Sequence, residues 1–220
     1  MRMHKLNKKF AKGLDLRLYV ITDENLIKGI DIAFAVEEAI KGGATVIQYR
    51  AKRKTGKEMF YEALKIKEKC EKYNIPFIIN DRLDIALAVN SDGIHVGQDD
   101  LPVDEIYRLT KDKLIIGLST KNLEHVLKAN QKKFVDYIGF GSIFPTDTKK
   151  DITLNGLKTL EKVVNISNKP VVAIGGINHK NVVDVLKTGC RNIAVISAVF
   201  KDKNIYENTA KLRELIEKYS

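Results

Sequence analysis

Residues 137–151 read Tyr137-Ile-Gly-Phe-Gly-Ser-Ile-Phe-Pro-Thr-Asp-Thr-Lys-Lys-Asp151. The segment begins as a short apolar strand and breaks into a loop at Gly141 and Pro145, because glycine and proline end regular structure. Hydroxyls and amines then follow closely, at Thr146, Thr148, Lys149 and Lys150. Such donors just past a strand end can close over a phosphate or diphosphate, although an ordinary solvated loop has a similar composition.

On both sides of this segment, short apolar strands alternate with amphipathic helices. The predicted strands cover residues 16–22, 44–49, 76–79, 93–96, 114–118, 137–140, 171–174 and 192–196. The predicted helices cover residues 31–41, 57–73, 83–89, 103–110, 123–130, 155–164, 182–188 and 205–218. Strands rich in Val and Ile, each followed by a helix, indicate a parallel sheet covered by helices.

Eight such units close naturally into a TIM (β/α)8 barrel of the α/β class. A doubly wound open sheet is the structural alternative. It usually has fewer units and a glycine fingerprint after its first strand, where this chain has Thr22-Asp-Glu-Asn25. The pattern therefore favours the barrel.

The composition is that of a globular protein, with 220 residues, 44% apolar and 30% charged. We expect a basic N-terminal arm over residues 1–15 and a single barrel domain over residues 16–220. The net charge of +10 suggests a nucleic-acid binder as one alternative function. However, much of the excess lies in the arm, and the remaining charges alternate along helices as on solvated faces, so nucleic acid is not an expected partner.

Cys70 and Cys190 lie far apart in the sequence and do not form the paired spacing of a zinc or redox site. The basic arm is not followed by the apolar segment of a signal peptide. No apolar run approaches the roughly 18 residues that a membrane span requires. We therefore expect a cytoplasmic protein without a membrane partner.

In a TIM barrel, side chains at the C-terminal ends of all strands share one mouth. The unusual residues of this chain recur there: Gln48, Arg50 and Lys52 follow strand two, Asn80 and Asp81 strand three, Asp100 strand four, Ser119 strand five, Thr146, Thr148 and Lys149 strand six, Gly176 strand seven, and Ile196 and Ser197 strand eight. We therefore expect these polar groups to converge.

A phosphate site and a metal site are predicted at this mouth. Gly175-Gly176 and Ser197 each lead into a helix and can present N–H groups to a phosphate, although paired glycines also make ordinary tight turns. Asp81 and Asp100 are candidate ligands of Mg²⁺, which takes one or two protein carboxylates and completes its shell with phosphate oxygens and water. Either aspartate could equally be structural.

Positive charge for a departing diphosphate is expected from Arg50, Lys52 and Lys149. Arg50 could instead pair with a carboxylate across the mouth. Asp84 and Asp99 are weaker candidate metal ligands, because Asp84 also fits the first turn of a helix and Asp99 also fits a solvated loop. His95 fits a packed, hydrogen-bonded imidazole at least as well as a catalytic one.

Several motifs together carry a family resemblance. They are Gln48-Tyr-Arg-Ala-Lys52, Ile79-Asn-Asp81, Asp92-Gly-Ile-His-Val-Gly-Gln-Asp-Asp100, Gly117-Leu-Ser119, residues 139–151, Ile174-Gly-Gly-Ile177 and Ile196-Ser197. With these motifs the chain resembles the thiamine-phosphate synthases from Leu18 to about Val199. The resemblance implies a TIM-barrel transferase that condenses 4-amino-5-hydroxymethyl-2-methylpyrimidine diphosphate with 4-methyl-5-(2-hydroxyethyl)thiazole phosphate. It also implies a dissociative mechanism in which Mg²⁺ assists diphosphate departure.

The resemblance implies a role for each candidate residue. Mg²⁺ would be held by Asp81 and Asp100. The pyrimidine diphosphate would be bound by Gln48, Arg50, Lys52 and Asn80, and the diphosphate by Ser119, Thr148 and Lys149. The thiazole side would contact Thr146, Gly176, Ile196 and Ser197. Catalysis would depend on Arg50, Lys52, Ser119 and Lys149, because the protein must neutralise the leaving anion.

A sister family, the thiazole tautomerases, shares this scaffold and is the alternative function. Its members are expected to carry a His two residues after the Ser of strand five, together with a weakened metal site. Here that position is Lys121, and both Asp81 and Asp100 are present, which favours the synthase. The implied partners are the two phosphorylated small molecules, and a homodimer is compatible with the resemblance.

Overall fold

A computed structural model describes residues 13–146 and 154–219 of the chain. Within them, eight parallel strands form one closed barrel in sequence order. The strands are β1 (Leu18–Ile21), β2 (Val46–Tyr49), β3 (Phe77–Asn80), β4 (Gly93–Val96), β5 (Ile115–Thr120), β6 (Tyr137–Phe140), β7 (Val171–Ile174) and β8 (Asn192–Val195). β1 pairs with β8, for example Tyr19 with Ala194, so the sheet has no open edge. The predicted TIM barrel is confirmed.

Helices surround the barrel. They are α1 (Ile32–Lys41), α2 (Gly56–Tyr73), α3 (Leu83–Ala88), α4 (Val103–Thr110), α5 (Leu123–Asn130), α6 (Gly156–Ile166), α7 (Val182–Lys187), α8 (Ser197–Phe200) and α9 (Ile205–Tyr219). The described residues thus form one α-helix more than the eight predicted, because α8 follows β8 directly. A four-residue helix is too short to show a helical period in the sequence. None of the described helices is both long and apolar enough to cross a membrane.

Capping residues fix where the first two helices begin. The Asp31 side chain accepts a hydrogen bond from the Phe34 N–H at 3.0 Å and caps α1. Thr55 and Glu58 form a reciprocal capping box at the start of α2, with the Thr55 N–H 2.8 Å from Glu58 Oε2. These caps set the lengths of the loops that follow β1 and β2, from which part of the mouth is built.

Strand residues alternate between two apolar layers. Outward-facing side chains such as Ile47 and Ile79 pack under the helices and are completely buried, each contributing about 1.5–3 kcal/mol of hydrophobic stabilisation. Inward-facing side chains fill the bore, with Leu16 and Val46 among them. The bore is apolar toward the N-terminal ends of the strands, so the polar mouth lies at the opposite end.

The boundary between arm and barrel stays a prediction, because residues 1–12 lie outside the described part of the chain.

Candidate active site

Arg50 extends from the end of β2 and is held by a buried carboxylate. Its Nη1 lies 3.4 Å from Oδ2 of Asp23, and the two side chains are only 13% and 9% exposed. Oδ1 of Asp23 accepts hydrogen bonds from the N–H groups of Asn25 and Leu26 at 3.0 and 3.2 Å. The N–H of Arg50 donates to Thr22 Oγ1 at 2.9 Å. The guanidinium is therefore fixed at the mouth by the carboxylate pairing that the sequence left open.

Two carboxylates and an ammonium group meet above β3 and β4. Oδ2 of Asp81 lies 2.5 Å from Nζ of Lys52. Asp81 has a left-handed backbone, with φ of 60°, which costs a non-glycine residue energy and is enriched at functional sites. Asp100 accepts from the Gly97 N–H at 2.7 Å and lies within hydrogen-bonding reach of the Asp81 carboxyl. Asp81 and Asp100 are called the carboxylate pair below.

The surroundings of Asp100 raise the pKa of its carboxyl group. Burial raises the pKa of Asp100, the hydrogen bond from the Gly97 N–H opposes this rise, and the adjacent Asp81 raises the pKa further. The Lys52 ammonium lowers it again by its charge. Two carboxylates in this arrangement repel each other when both are ionised, and a divalent cation between them would remove that repulsion.

Two other aspartates are engaged elsewhere. Oδ1 of Asp84 accepts from Nε of Arg82 at 2.8 Å, and this hydrogen bond lowers the pKa of Asp84. The Asp99 side chain is 95% exposed and lies 3.9 Å from Nζ of Lys121. Both carboxylates therefore have cationic partners outside the carboxylate pair, and metal binding by Asp81 and Asp100 stays a prediction.

Polar side chains also line the bore just below the mouth. Nε2 of His95 lies 2.9 Å from Oγ of Ser119. Gln48 is 2% exposed, and its Nε2 donates to Oη of Tyr19 at 2.7 Å. Asn80 lies beside His95 in the sheet. Gln48, His95 and Ser119 border a cavity of about 40 Å³, enough for a water molecule. Binding of the pyrimidine diphosphate by Gln48 and Asn80 stays a prediction.

The segment after β6 folds along the end of β7. The N–H groups of Ile143 and Phe144 donate to the carbonyls of Ile174 and Gly175, each at 3.0 Å. Thr146 follows directly and is partly buried. This pairing brings residues 143–146 to the β7 side of the mouth.

The turn after β7 is built from glycines. Gly175 and Gly176 have φ values of 105° and 65°, and a Cβ on Gly175 would lie 2.0 Å from Oγ of Ser142. Both the conformation and the close approach therefore require glycine at this turn. The Gly176 carbonyl accepts from the side-chain amides of Asn178 and Asn181 at 3.1 and 3.0 Å, which fixes the orientation of the turn.

β8 ends beside this turn, since Ile174 pairs with Ala194 in the sheet. Ile196 precedes α8 and Ser197 is its first residue. The structure thus brings the candidate phosphate-binding residues to one side of the mouth. Two predicted site residues, Thr148 and Lys149, lie outside the described residues. Their roles stay predictions.

Comparison with known proteins identifies the family. The sequence model described as thiamine monophosphate synthase matches residues 18–199. The thiamine-phosphate synthase of Persephonella marina is 60% identical over 207 residues, which cover 94% of this chain and 99% of that protein. The chain belongs to the thiamine monophosphate synthase family. The predicted enzyme class, a thiamine-phosphate synthase of thiamine biosynthesis, is confirmed by this similarity.

Solved structures agree with this family assignment. The thiamine phosphate pyrophosphorylase of Pyrococcus furiosus superposes with a TM-score of 0.84 at 42% identity, covering 93% of this chain and 96% of that one. The (S)-3-O-geranylgeranylglyceryl phosphate synthase of Thermoplasma acidophilum has a TM-score of 0.67 at 16% identity, with 99% of both chains covered. The second likeness shows the fold alone. The similarities to synthases favour that family over the thiazole tautomerases.

Three residues at or below the mouth were missed by sequence reasoning. Asp23 is a buried carboxylate two residues after the end of β1. Its position just past a strand end is the same signal that marked the other candidates. Tyr19 and Tyr137 lie within strands and hydrogen-bond to each other at 2.8 Å. No sequence signal separates a hydrogen-bonded core tyrosine from one that only packs.

Proposed function

We propose that the mouth joins the pyrimidine diphosphate to the thiazole phosphate by a dissociative mechanism, with Mg²⁺ held at the carboxylate pair. The observation that carries this proposal is the meeting of Asp81 and Asp100 beside the Lys52 ammonium. Two adjacent carboxylates flanked by a cationic side chain suit a divalent cation together with an anionic substrate. The proposed products are thiamine phosphate and diphosphate.

Magnesium fits the available donors. Within residues 13–146 and 154–219, no group of three or more His, Cys, Asp or Glu side chains forms a closed metal site. Mg²⁺ needs no such group, because it commonly takes one or two carboxylates and obtains its other ligands from phosphate oxygens and water. When bound, it would neutralise charge on the departing diphosphate. Asp81 and Asp100 would hold it.

The first chemical step breaks the bond between the pyrimidine methylene carbon and the diphosphate oxygen. The bonding electron pair leaves with the diphosphate, and the methylene carbon becomes cationic. Arg50, oriented by Asp23, would donate N–H groups to diphosphate oxygens in fixed geometry. Lys52 and Lys149 would add positive charge, while Ser119 and Thr148 would donate hydroxyl hydrogen bonds.

The second step forms the new carbon–nitrogen bond. The thiazole nitrogen attacks the methylene carbon with its lone pair, so no general base and no covalent enzyme intermediate are required. The protein must instead hold the ring close to the cation. We assign binding of the thiazole-side phosphate to Gly176, Ile196 and Ser197, with Thr146 against the thiazole phosphate or its ring.

A cytoplasmic location, a homodimer and the absence of a nucleic-acid partner stay predictions. Deletion of residues 1–15 should leave catalysis intact. It should abolish any salt-sensitive nucleic-acid binding.

Diphosphate release from the purified protein tests the proposal. We expect release only with both substrates and Mg²⁺, with loss of activity upon chelation and recovery when Mg²⁺ is restored. Asp100→Ala should lower kcat by about 100-fold or more, because the leaving anion loses its metal. Asp99→Ala is the matched control, since that neighbouring side chain is 95% exposed. It should retain wild-type activity.

Two outcomes would contradict the proposal. The first is an absence of diphosphate release in the complete reaction. The second is turnover of a thiazole carboxylate phosphate without metal or pyrimidine, which would support a tautomerase.

A further inference from the structure

A continuous series of hydrogen bonds crosses the bore of the barrel. Nε2 of Gln48 donates to Oη of Tyr19 at 2.7 Å, and this oxygen lies 2.8 Å from Oη of Tyr137. The Tyr137 hydroxyl lies 3.1 Å from Nδ1 of His95. Nε2 of His95 then lies 2.9 Å from Oγ of Ser119. We call these five side chains the core hydrogen-bond network.

The network occupies space that barrels usually fill with branched apolar side chains. Tyr19 and Tyr137 are each 1% exposed, and burial of a hydroxyl costs about 1–3 kcal/mol unless it is hydrogen-bonded. A Cβ on Gly117 would lie 2.2 Å from Cζ of Tyr137 and 2.5 Å from Nδ1 of His95. A Cβ on Gly139 would lie 3.2 Å from Cε1 of His95. The backbones of β5 and β6 therefore make room for the network.

The number of available hydrogens gives the network a direction. Burial raises the pKa of Tyr19 and of Tyr137, so each hydroxyl keeps its single hydrogen. Oη of Tyr19 accepts from the Gln48 amide, so the acceptor that the described residues offer to its own hydrogen is Oη of Tyr137. Tyr137 can then donate its hydrogen to Nδ1 of His95. With Nδ1 accepting from Tyr137, a neutral imidazole carries its proton on Nε2 and donates it to Oγ of Ser119. The Ser119 hydrogen is left to point toward the mouth.

We infer that Tyr19 and Tyr137 are positioning residues that act through His95 to orient Ser119 as a hydrogen-bond donor to the diphosphate. The inference rests on the proposed function, in which Ser119 contacts the leaving group. A serine whose oxygen accepts from His95 cannot turn its own hydrogen toward that ring. The donor is thus oriented before substrate binds, so little reorganisation is needed during the reaction.

The tautomer of His95 can be measured without substrate. Long-range ¹H–¹⁵N correlation spectra distinguish the protonated from the unprotonated imidazole nitrogen. His95→Gln assigns the His95 signals among the 4 histidines of the chain. We expect the Nε2–H tautomer in the wild type and a mixture of tautomers in Tyr19→Phe and Tyr137→Phe. A wild-type Nδ1–H tautomer would overturn the inference, because Ser119 would then donate to His95.

A double-mutant cycle tests whether the network acts through Ser119. Tyr137→Phe removes one hydroxyl and keeps the ring, so we expect kcat to fall about tenfold, as for one lost hydrogen bond. KM for the pyrimidine diphosphate should change less than about twofold. In a Ser119→Ala background, the same substitution should change kcat less than about twofold. Equal losses in the two backgrounds would overturn the inference.

Tyr73→Phe is the matched control for removal of a tyrosine hydroxyl. The Tyr73 hydroxyl donates to Oε1 of Glu37 at 2.9 Å. Tyr73 is the last residue of α2, at the end of the helix that lies away from the mouth. We expect unchanged kcat in this variant, and a tenfold loss there would contradict a specific role for the network. Thermal unfolding of each variant confirms folding. If the wild type releases no diphosphate, the proposed function fails, while the tautomer measurement still tests the order of the network.

Discussion

Asp23 and Arg50 form an ion pair across the ends of the first two strands, with 3.4 Å between Oδ2 and Nη1. Both side chains are almost completely removed from solvent. A charge buried in this way is stable only while its partner is present. The pair therefore links the orientation of a proposed substrate-binding guanidinium to the stability of the barrel.

Asp23→Asn should lower the free energy of unfolding by about 2–4 kcal/mol, because it leaves the Arg50 charge buried without a partner. The amide oxygen of Asn can still accept the two backbone hydrogen bonds of the following turn. The loss of stability therefore measures the effect of removing the negative charge. Urea unfolding measures the effect. Asp15→Asn is the control, since the Asp15–Arg17 pair is 37% and 42% exposed and should contribute less than about 1 kcal/mol. Similar losses in the two variants would contradict this prediction.

Asp100→Asn should raise the melting temperature at neutral pH in the absence of Mg²⁺. The folded protein raises the pKa of Asp100 above 3.8, mainly by burial, so it binds this proton more tightly than the unfolded chain does. The stability contributed by the protonated group is complete below pH 3.8 and is lost as pH rises through the folded-state pKa. The ionised carboxylate is therefore destabilising at neutral pH.

Thermal unfolding from pH 3 to pH 8 checks this prediction, with Asp99→Asn as the control. The difference between Asp100→Asn and the wild type should vanish at the acidic end of this range. Added Mg²⁺ should stabilise the wild type more than the variant. A variant that is less stable than the wild type at neutral pH without Mg²⁺ would show that Asp100 has a structural role.

Gly117→Ala should lower the free energy of unfolding by about 1–3 kcal/mol, because the new methyl group overlaps the Tyr137 ring. The added carbon would lie 2.2 Å from Cζ of Tyr137. Gly13→Ala is the control, since nothing lies within 4 Å of its added carbon. Urea unfolding should separate the two variants clearly, and equal stabilities would mean that the bore can relax around the methyl group.

Asn181→Ala should raise KM for the thiazole phosphate by about fivefold to tenfold, the effect of one lost hydrogen bond. The Asn181 amide donates to the Gly176 carbonyl at 3.0 Å and orients the glycine turn. KM for the pyrimidine diphosphate should remain unchanged. Asn168→Ala is the control, because that amide bonds to Asn130 at the other end of the barrel. A rise in both KM values would argue for general loosening of the mouth.

Most of the fold could be predicted from local patterns. The bounds of β4, β6 and β7 agree with the predicted ranges, because glycines, prolines and polar residues flank short apolar runs there. β5 extends to Thr120 instead of ending at residue 118. Ser119 and Thr120 are polar, and the sequence could not show that their backbones still pair with β6.

The strand-end rule predicted that Asp81 and Asp100 would lie together at the mouth, and their carboxyl groups are adjacent there. The same rule placed Thr148 and Lys149 at the mouth, but these two residues lie outside the described part of the chain. It could not predict which side chains touch inside the bore. Tyr19 and Tyr137 are separated by 118 positions, and their contact depends on barrel closure and on the space left by Gly117. Such contacts arise from the register of several strands together, which no short stretch of sequence specifies.

Closure of the barrel by the pairing of β1 with β8 also has a consequence for biosynthesis. While the ribosome is still adding the last strand, the nascent sheet has two exposed edges that can pair with other chains. A message truncated before β8 would therefore yield an aggregation-prone polypeptide instead of a weakened enzyme, even though it would encode every proposed ligand of the pyrimidine diphosphate.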